Sequence, residues 1–287
     1  MTTAPLPALN DNRRGALLLV AAAGIFTAEV TAVRLLGDRA SSGQIVFFRG
    51  FAQLIVVGTW IALRDPGLLR TARPGLHLLR GLTSLLCWLL YFRSFQLLDL
   101  SLATTLTFTT SLFTVALAPL VLGERVGLAN WVLTALGFGG VALAAGATGL
   151  SADPAILLGL AAAAAAAVLV FLNRILSRTE NTATIMFWIS VVACLGTAPV
   201  AALDWQPIGL PALLLLSAAG ICGTLGMLLT IEAYRVGEVA PLAPFPYTRI
   251  VFAVAVGAAL FGEWPTARSL LGIAIITGCA LAVRHRR

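Results

Sequence analysis

Ionisable side chains inside long apolar stretches are the residues of this 287-residue chain that could do chemistry. Arg249 lies about ten residues into one such stretch. A charge at that depth costs at least ~2.5 kcal/mol on membrane-insertion scales, so it needs an anionic partner or water. The planar guanidinium can hold a carboxylate through two parallel hydrogen bonds. Arg249 is therefore either an anchor for an anionic ligand or one half of an internal ion pair.

Glu29 is the acidic counterpart, embedded in the first apolar stretch of the chain. Arg34, Arg49 and Asp38 are expected at comparable depth. Because burial disfavours the ionised form of a carboxylate, Glu29 could be a proton-coupling group. Alternatively, it is a fixed counter-ion for Arg34 or Arg49. We predict the counter-ion and keep coupling as the alternative.

Hydroxyl side chains are concentrated in a later apolar stretch, with eight of them in the fourteen residues 101–114. Thr107, Ser111 and Thr114 share one helix face by their i, i+4, i+7 spacing. Hydroxyls that bond back to their own helix can serve packing alone. Their number exceeds what packing needs, so we predict that Thr107 and Ser111 line a hydrated cavity and contact the substrate.

A stripe of residues at helical spacing, several of them aromatic, lies between the stretch that contains Glu29 and the hydroxyl stretch. Its members are Arg80, Ser84, Cys87, Trp88, Tyr91 and Phe95. Packing would explain such a stripe, but the hydroxyl of Tyr91 would find no partner in lipid. We therefore predict Ser84, Trp88 and Tyr91 as substrate contacts. Arg80 is near the end of its stretch, where it could extend to the headgroups.

The composition requires a membrane around these residues. Hydrophobic residues make up 59% of the chain and charged residues 11%, against ~25% charged in typical soluble domains. The net charge of +7 results from 19 arginines, no lysine and 12 acidic residues. The chain has no basic run interleaved with aromatic residues, so nucleic-acid binding is not predicted.

Enzyme chemistry and cofactors are not expected. The four cysteines lie singly in apolar stretches and are expected to pack there. Two histidines are too few to form a zinc site without paired cysteines, so we predict no metal and no cofactor. No glycine-lysine phosphate loop is present, so no ATPase subunit is implied. The expected partners are a small-molecule substrate and the lipid bilayer.

Ten stretches are long enough to cross about 30 Å of hydrocarbon. They are roughly 15–36, 44–63, 77–98, 101–122, 127–147, 155–176, 182–203, 211–235, 239–261 and 269–283. The first is longer than the apolar region of a signal peptide, so we expect it to be retained. With a cytoplasmic N-terminus, twelve arginines face inward and two, Arg39 and Arg268, face outward. This bias predicts an inner-membrane, multi-pass protein with both termini in the cytoplasm.

An internal repeat emerges when the chain is compared with itself at an offset of 139. Residues 92–143 then give eight identical pairs without a gap, including Gly123-Glu124 on Gly262-Glu263. The chain divides into two halves of five spans each, residues 1–148 and 149–287. Each Gly-Glu pair follows the fourth span of its half. Because five is odd, the second half must be inverted, and inverted repeats frame a midplane site in many secondary transporters. We expect each glutamate to brace the next helix or a neighbouring arginine rather than bind substrate.

The second half carries its own interruption at the depth of the hydroxyl stretch. Pro241, Pro244 and Pro246 remove backbone donors and predict a loosened or kinked helix. Carbonyls left unpaired at membrane depth are tolerated only beside protein or a watery cavity. At the offset of 139, this proline-rich segment aligns with the hydroxyl stretch of the first half. Because both halves are interrupted at equivalent depth, we predict a central site between them.

The order of these features resembles the drug/metabolite transporter superfamily, specifically its EamA-type members. Arg34, Phe48-Arg49 and Gly123-Glu124-Arg125 stand where that family has similar residues. The resemblance covers about 15–283, although Ser111 and Ile250 replace prolines found in many members. It implies an all-α membrane protein of ten transmembrane helices in two inverted five-helix repeats.

The resemblance also implies a function. It points to a non-enzymatic secondary transporter that exports amino acids, aromatic ones included, or similar small metabolites by alternating access. Phe47-Phe48-Arg49-Gly50 and Tyr247 instead resemble S-adenosylmethionine carriers, which adds Tyr247 to the predicted substrate contacts. The alternatives are therefore an uptake or exchange carrier for an adenine-containing metabolite and a channel-like or structural helix bundle.

Overall fold

The described part of the chain is all-α. The structure is a computed structural model that describes residues 11–97, 106–144, 155–262, 264 and 266–284, and none of these lies in a β-strand. The helices are α1 Asn12–Leu36, α2 Ser42–Arg64, α3 Pro74–Leu97, α4 Thr110–Leu122, α5 Leu128–Ala144, α6 Ala155–Ser177, α7 Thr182–Leu203, α8 Leu210–Val236, α9 Thr248–Phe261 and α10 Ala267–Arg284. Shorter turns are Gly37–Arg39, Pro66–Leu69, Val239–Leu242 and Phe245–Tyr247.

Six segments of the described chain are long and apolar enough to cross a membrane, judged by length and composition. They are Asn12–Leu36, Gly43–Arg64, Ala155–Ser177, Thr182–Leu203, Leu210–Val236 and Val239–Phe261. Two shorter apolar helices run over Leu106–Leu122 and Leu128–Leu143. The all-α class is confirmed and these lengths agree with a membrane protein, whereas the count of ten spans and the inverted repeat stay predictions.

Side-chain caps fix where several helices begin. Asp11 accepts a hydrogen bond from the backbone N–H of Arg14 at 2.9 Å, and Ser41 and Gln44 form a reciprocal capping box at the start of α2. The side chain of Asn181 accepts a hydrogen bond from the backbone N–H of Ala183 at the start of α7. Each cap satisfies N–H groups that the first turn of a helix leaves without an intrahelical partner.

The helices pack mainly across the two halves of the chain. The main contacts join α1 to α8, α3 to α6, α2 to α7 and α5 to α10, and further contacts join α1 to α9 and α4 to α6. The helices of the first half, α1–α5, can be exchanged one for one, in chain order, with those of the second half, α6–α10. The pair α1–α8 then becomes α6–α3, and the pair α1–α9 becomes α6–α4. The pairs α2–α7 and α5–α10 are unchanged, so this set of contacts maps onto itself.

Small residues allow α1 and α2 to approach α8 closely. A Cβ at Gly220 would lie 2.4 Å from the Cβ of Ala52, and one at Gly226 would lie 2.7 Å from the ring of Phe26. Such close backbone approach is available only to small side chains. The two contacts bring the ionisable side chains of α1 and α2 against the same stretch of α8.

The proline-rich segment interrupts the helix of the predicted ninth span. Val239–Leu242 forms one helical turn, Phe245–Tyr247 forms a 3-10 turn, and α9 begins at Thr248. The prolines lack the N–H groups that a continuous helix would use. The regular α-helix is therefore interrupted directly before Arg249, whereas the predicted loosening or kink stays a prediction.

Candidate functional site

The Gly-Glu pair at 123–124 ends α4 and supports the interrupted segment. Gly123 has a φ of 68° and a ψ of 18°, the left-handed conformation that favours glycine at a helix end. The carboxylate of Glu124 accepts hydrogen bonds from the N–H groups of Val239, at 3.1 Å, and Ala240, at 3.0 Å. Glu124 thus braces a helical turn of the other half rather than the next helix along the chain, while Glu263 lies outside the described residues.

Replacing Glu124 is expected to lower thermal stability. Glu124→Ala leaves two buried N–H groups without their acceptor, at a cost of about 1–3 kcal/mol each. Glu124→Gln keeps one carbonyl oxygen and should lose about half as much. Thermal unfolding in detergent measures both changes, with Arg125→Ala at the exposed neighbouring position as the control. An alanine variant as stable as its control would contradict the bracing role.

An ion pair joins α1 to α2 inside the helix bundle. The Nε of Arg49 donates to Oε1 of Glu29, and the two side chains keep only 21% and 11% of their exposure. Gly223 of α8 covers the pair, because a Cβ there would lie 2.8 Å from the Glu29 oxygen and 2.9 Å from the Arg49 nitrogen. Of the two counter-ions considered for Glu29, Arg49 is the one it contacts, whereas Arg34 lies 4.0 Å over the ring of Phe261.

Arg249, on the first turn of α9, approaches this pair but makes no ion pair. Among the described residues it forms no hydrogen bond and no contact with a carboxylate within 4 Å, and its guanidinium lies 5.8 Å from the ring centre of Phe26. It is half-buried and within electrostatic range of Tyr91, Glu29 and Arg49. The described contacts therefore leave its N–H groups available to an anionic ligand, as the anchor interpretation requires.

Trp88 and Tyr91 of α3 form the aromatic side of the same region. Their rings pack edge to face with centres 5.5 Å apart, and the guanidinium of Arg49 lies 5.6 Å from the Trp88 ring. Ser84 is half-buried one turn earlier on the same stripe. We call the following residues the central charged site: Glu29, Arg49, Trp88, Tyr91 and Arg249.

Sequence reasoning anticipated four of these five residues as site residues. It named Arg49 as a possible partner of Glu29, yet not as part of the site itself. The signal was present, since Arg49 is a charge inside an apolar stretch at the depth of Glu29. Gly223 gave no signal, because a glycine in an apolar helix serves many kinds of close packing.

Ser111 and Tyr247 lie together elsewhere in the bundle. Tyr247 is fully buried, its ring centre is 5.7 Å from that of Phe108, and a Cβ at Gly137 would lie 2.6 Å from it. Its hydroxyl lies near Ser111 but makes no hydrogen bond with a described residue. None of the described contacts joins Ser111 or Tyr247 to the central charged site, and their contact with substrate stays a prediction.

Two hydroxyls of the α4 region bond to backbone. Thr109 Oγ1 donates to the carbonyl of Leu106 at 2.6 Å, and Thr110 Oγ1 donates to that of Thr107 at 2.7 Å. Thr110 also reaches the carbonyl of Ala163 in α6, at 3.2 Å. Bonding to the same helix and to a neighbour is what packing uses. Thr107 itself is half-buried, and its substrate contact remains untested.

Arg80 does not extend to the headgroups, which is the arrangement that its position near the end of the span allowed. The side chain is buried, with 2% of its surface exposed. Its Nε donates to Oδ1 of Asn173 at 3.0 Å, and its Nη2 lies 3.8 Å from the sulfur of Met227. These partners belong to α6 and α8, which cover this face of α3 and hold the guanidinium inside the bundle.

Comparison with known proteins places the chain among transporters. The model of the EamA-like transporter family matches residues 13–146 and again residues 153–284. A protein of known crystal structure superposes with a TM-score of 0.78 at 22% identity, covering 94% of this chain and 96% of that chain. At that identity the likeness shows a shared fold.

Three curated relatives show the range of substrates among similar proteins. The S-adenosylmethionine uptake transporter of Rickettsia bellii is 28% identical, over 87% of this chain and 86% of its own length. The pseudopaline exporter of Pseudomonas aeruginosa is also 28% identical, over 96% and 98%. The riboflavin transporter of Vibrio cholerae is 30% identical, over 72% and 70%.

Proposed function

We propose, from the premise that this chain belongs to the EamA-like transporter family, that it carries a small organic zwitterion at the central charged site. The chain is a multi-pass membrane transporter and not an enzyme, as its transporter relatives agree. The proposal concerns which molecule it carries and how the described side chains bind that molecule.

The observation that carries this proposal is that Arg249 makes no ion pair with a described residue, although it is within electrostatic range of the Glu29–Arg49 ion pair. The N–H groups of Arg249 can bind the carboxylate of an amino-acid head group. The carboxylate of Glu29, which now pairs with Arg49, can bind the ammonium of the same head group. Trp88 and Tyr91 offer aromatic faces to a cation or a ring on the rest of the substrate. An uncharged solute would use none of these charges.

S-adenosylmethionine is the first substrate to test, followed by free amino acids. Relatives named S-adenosylmethionine uptake transporters match 87% of this chain. That molecule combines an amino-acid head group, a sulfonium cation and an adenine ring, so it would use both the charged and the aromatic parts of the site. Export stays a prediction, because the relatives include an uptake transporter and an exporter.

Counterflow into proteoliposomes tests the proposal. Vesicles containing the purified protein and unlabelled S-adenosylmethionine should accumulate the labelled compound in a saturable manner, and methionine and aromatic amino acids are assayed in parallel. Repeating the assay with and without a proton gradient distinguishes coupled from facilitated transport. Saturable transport of riboflavin without transport of any zwitterion would contradict the proposal. Flux that does not saturate would indicate a channel.

Several symmetric features support alternating access between inverted halves. The family model matches the chain twice, and the main helix contacts map onto themselves when the halves are exchanged. Gly123 and Gly262 end α4 and α9 with nearly the same backbone angles, φ 68° and 67° with ψ 18° in both. Two inverted halves around a central site are the arrangement that allows one half to rock against the other.

Hydrogen bonds join the loops at one end of the bundle, which we call the closed end. Arg235, at the end of α8, donates to the carbonyls of Ser177, at 2.8 Å, and Glu180, at 3.0 Å. Glu180 accepts a hydrogen bond from the hydroxyl of Thr71 at 2.8 Å. These bonds tie together the α2–α3 loop, the α6–α7 loop and the end of α8. A closed end is required of one state in alternating access, so this arrangement supports the mechanism.

This closed end is expected to face the cytoplasm together with both termini. The reason is the distribution of arginines, twelve on that side against two on the other. A reporter fused to the C-terminus, one that is active only in the cytoplasm, should be active, and a reporter active only in the periplasm should be silent. The opposite pattern would reverse the assignment of inner and outer ends.

A further inference from the structure

Four nitrogen atoms near the closed end are buried without a hydrogen-bond partner among the described residues. They are Nη1 of Arg80, Nε1 of Trp188, and Nδ1 and Nε2 of His77. A buried N–H group without an acceptor costs about 1–3 kcal/mol. Most buried polar groups in proteins do have partners, so a concentration of unpaired ones calls for a specific explanation.

His77 links the other two side chains, because it is within electrostatic range of Arg80 and its ring lies beside that of Trp188. His77 and Arg80 are three residues apart on α3 and share a face, and the ring centres of His77 and Trp188 are 6.3 Å apart. Asn173 and Met227 hold the other nitrogens of Arg80, at 3.0 and 3.8 Å. We call the following residues the Arg80 niche: His77, Arg80, Asn173, Trp188 and Met227.

The niche has a positive charge without a counter-ion. Among the described residues, no carboxylate lies within 4 Å of the Arg80 guanidinium, and its contacts are with an amide oxygen and a thioether. Arg49 is close enough to repel it. Glu180 acts on His77, but its Oε1 already accepts hydrogen bonds from Thr71 and Ala72. A buried cation without a partner is costly.

We propose that the Arg80 niche is a second binding site for the carboxylate of the transported substrate, between the central charged site and the closed end. This proposal rests on the proposed function. A carboxylate only accepts hydrogen bonds, so it matches a niche whose unpaired groups include the donors of Arg80 and Trp188. Water could satisfy these donors but would leave the charge of Arg80 uncompensated.

The position of the niche suits a site on the transport path. Arg80 precedes Trp88 of the central charged site by eight residues on α3, a distance of about 12 Å along the helix axis. Met227 follows Gly223, which covers the Glu29–Arg49 pair, by one turn of α8. A carboxylate that leaves Arg249 would therefore meet a second buried guanidinium before it reaches the loops at the closed end.

Tryptophan fluorescence of the purified protein tests this site without a transport assay. Sodium acetate is titrated in one series and sodium chloride in a parallel series of equal ionic strength, and the Trp188 signal is the difference between wild type and Trp188→Phe. Acetate should change this signal in a saturable manner. The change should disappear in Arg80→Gln and persist in Arg249→Gln. Arg80→Lys should weaken apparent acetate affinity about tenfold, because an ammonium cannot reproduce the guanidinium fork.

Each outcome decides the proposal. A wild-type signal that acetate does not change, or a full response in Arg80→Gln, would overturn it. An equal response to chloride would indicate a site for small inorganic anions rather than for carboxylates. If Arg80→Gln does not fold, an undiminished acetate affinity in Arg80→Lys would overturn the proposal instead. An acetate response in a protein that carries no zwitterion in proteoliposomes would defeat the proposed function and leave the niche as an anion site.

Discussion

Arg249→Lys is expected to reduce zwitterion transport about tenfold or more without unfolding the protein. Lysine keeps the positive charge but loses the planar fork that holds a carboxylate by two hydrogen bonds. A hydrogen bond to a charged group contributes about 1.5–3 kcal/mol, and 1.4 kcal/mol corresponds to a factor of ten. Initial rates of counterflow over a range of substrate concentrations measure the change.

Decarboxylated analogues identify the group that Arg249 binds. The amine that lacks the carboxylate should compete poorly in wild type and should lose little more in Arg249→Lys, because it never used the guanidinium. Arg178→Lys, at an exposed position after α6, is the matched control and should transport normally. Equal competition by the acid and its amine in wild type would remove the anchor role of Arg249.

Glu29→Gln is expected to lower stability by about 3 kcal/mol, because it leaves the charge of Arg49 without its partner inside the bundle. Removing one member of a buried pair typically costs about 3–5 kcal/mol. The lower value applies here because the Arg49 side chain keeps 21% of its exposure. Thermal unfolding of the purified variant in detergent measures the loss.

The double variant Glu29→Gln/Arg49→Gln separates the ion pair from other effects of the substitution. It removes both charges, so it should be more stable than Glu29→Gln alone. A double variant as unstable as the sum of the two single variants would mean that the pair contributes no coupling energy. In that case Glu29 would stabilise the protein through other contacts.

Transport by Glu29→Gln distinguishes the two roles considered for this carboxylate. A counter-ion predicts that any remaining transport has the pH dependence of wild type. A coupling site predicts a stable variant that has lost gradient-driven transport but retains exchange. The contact with Arg49 agrees with the first role and does not test the second.

The residues that could be predicted from sequence share one property: each is anomalous in its own surroundings. Glu29 and Arg249 are charges in apolar stretches, and Pro241 and Pro244 interrupt a helix that would otherwise continue. Such anomalies require no knowledge of neighbours, because the cost of a charge or a missing N–H group arises wherever the segment is buried. Which residues contact these side chains could be narrowed from the sequence only to a few candidates, as with Arg34 and Arg49 for Glu29.

Arg80 shows where this reasoning stops. Its position near the start of a span is compatible with a side chain that extends to the headgroups and with one that points inward. Only the packing of α6 and α8 on α3 places Asn173 and Met227 against the guanidinium and excludes the first arrangement. Ser111 shows the same limit, because its helical spacing gave it a face but not the identity of the neighbour on that face.

The sequence by itself determined that this protein is an all-α membrane protein, where several of its helices begin and end, and which charges its interior must accommodate. These properties follow from local causes, namely apolar length, caps and prolines, which act within a few residues. Only the tertiary structure decided which charges meet. Glu29 contacts Arg49 across 20 residues of chain and Arg80 contacts Asn173 across 93. Such contacts depend on the rotation and depth of whole helices, which packing against other helices fixes.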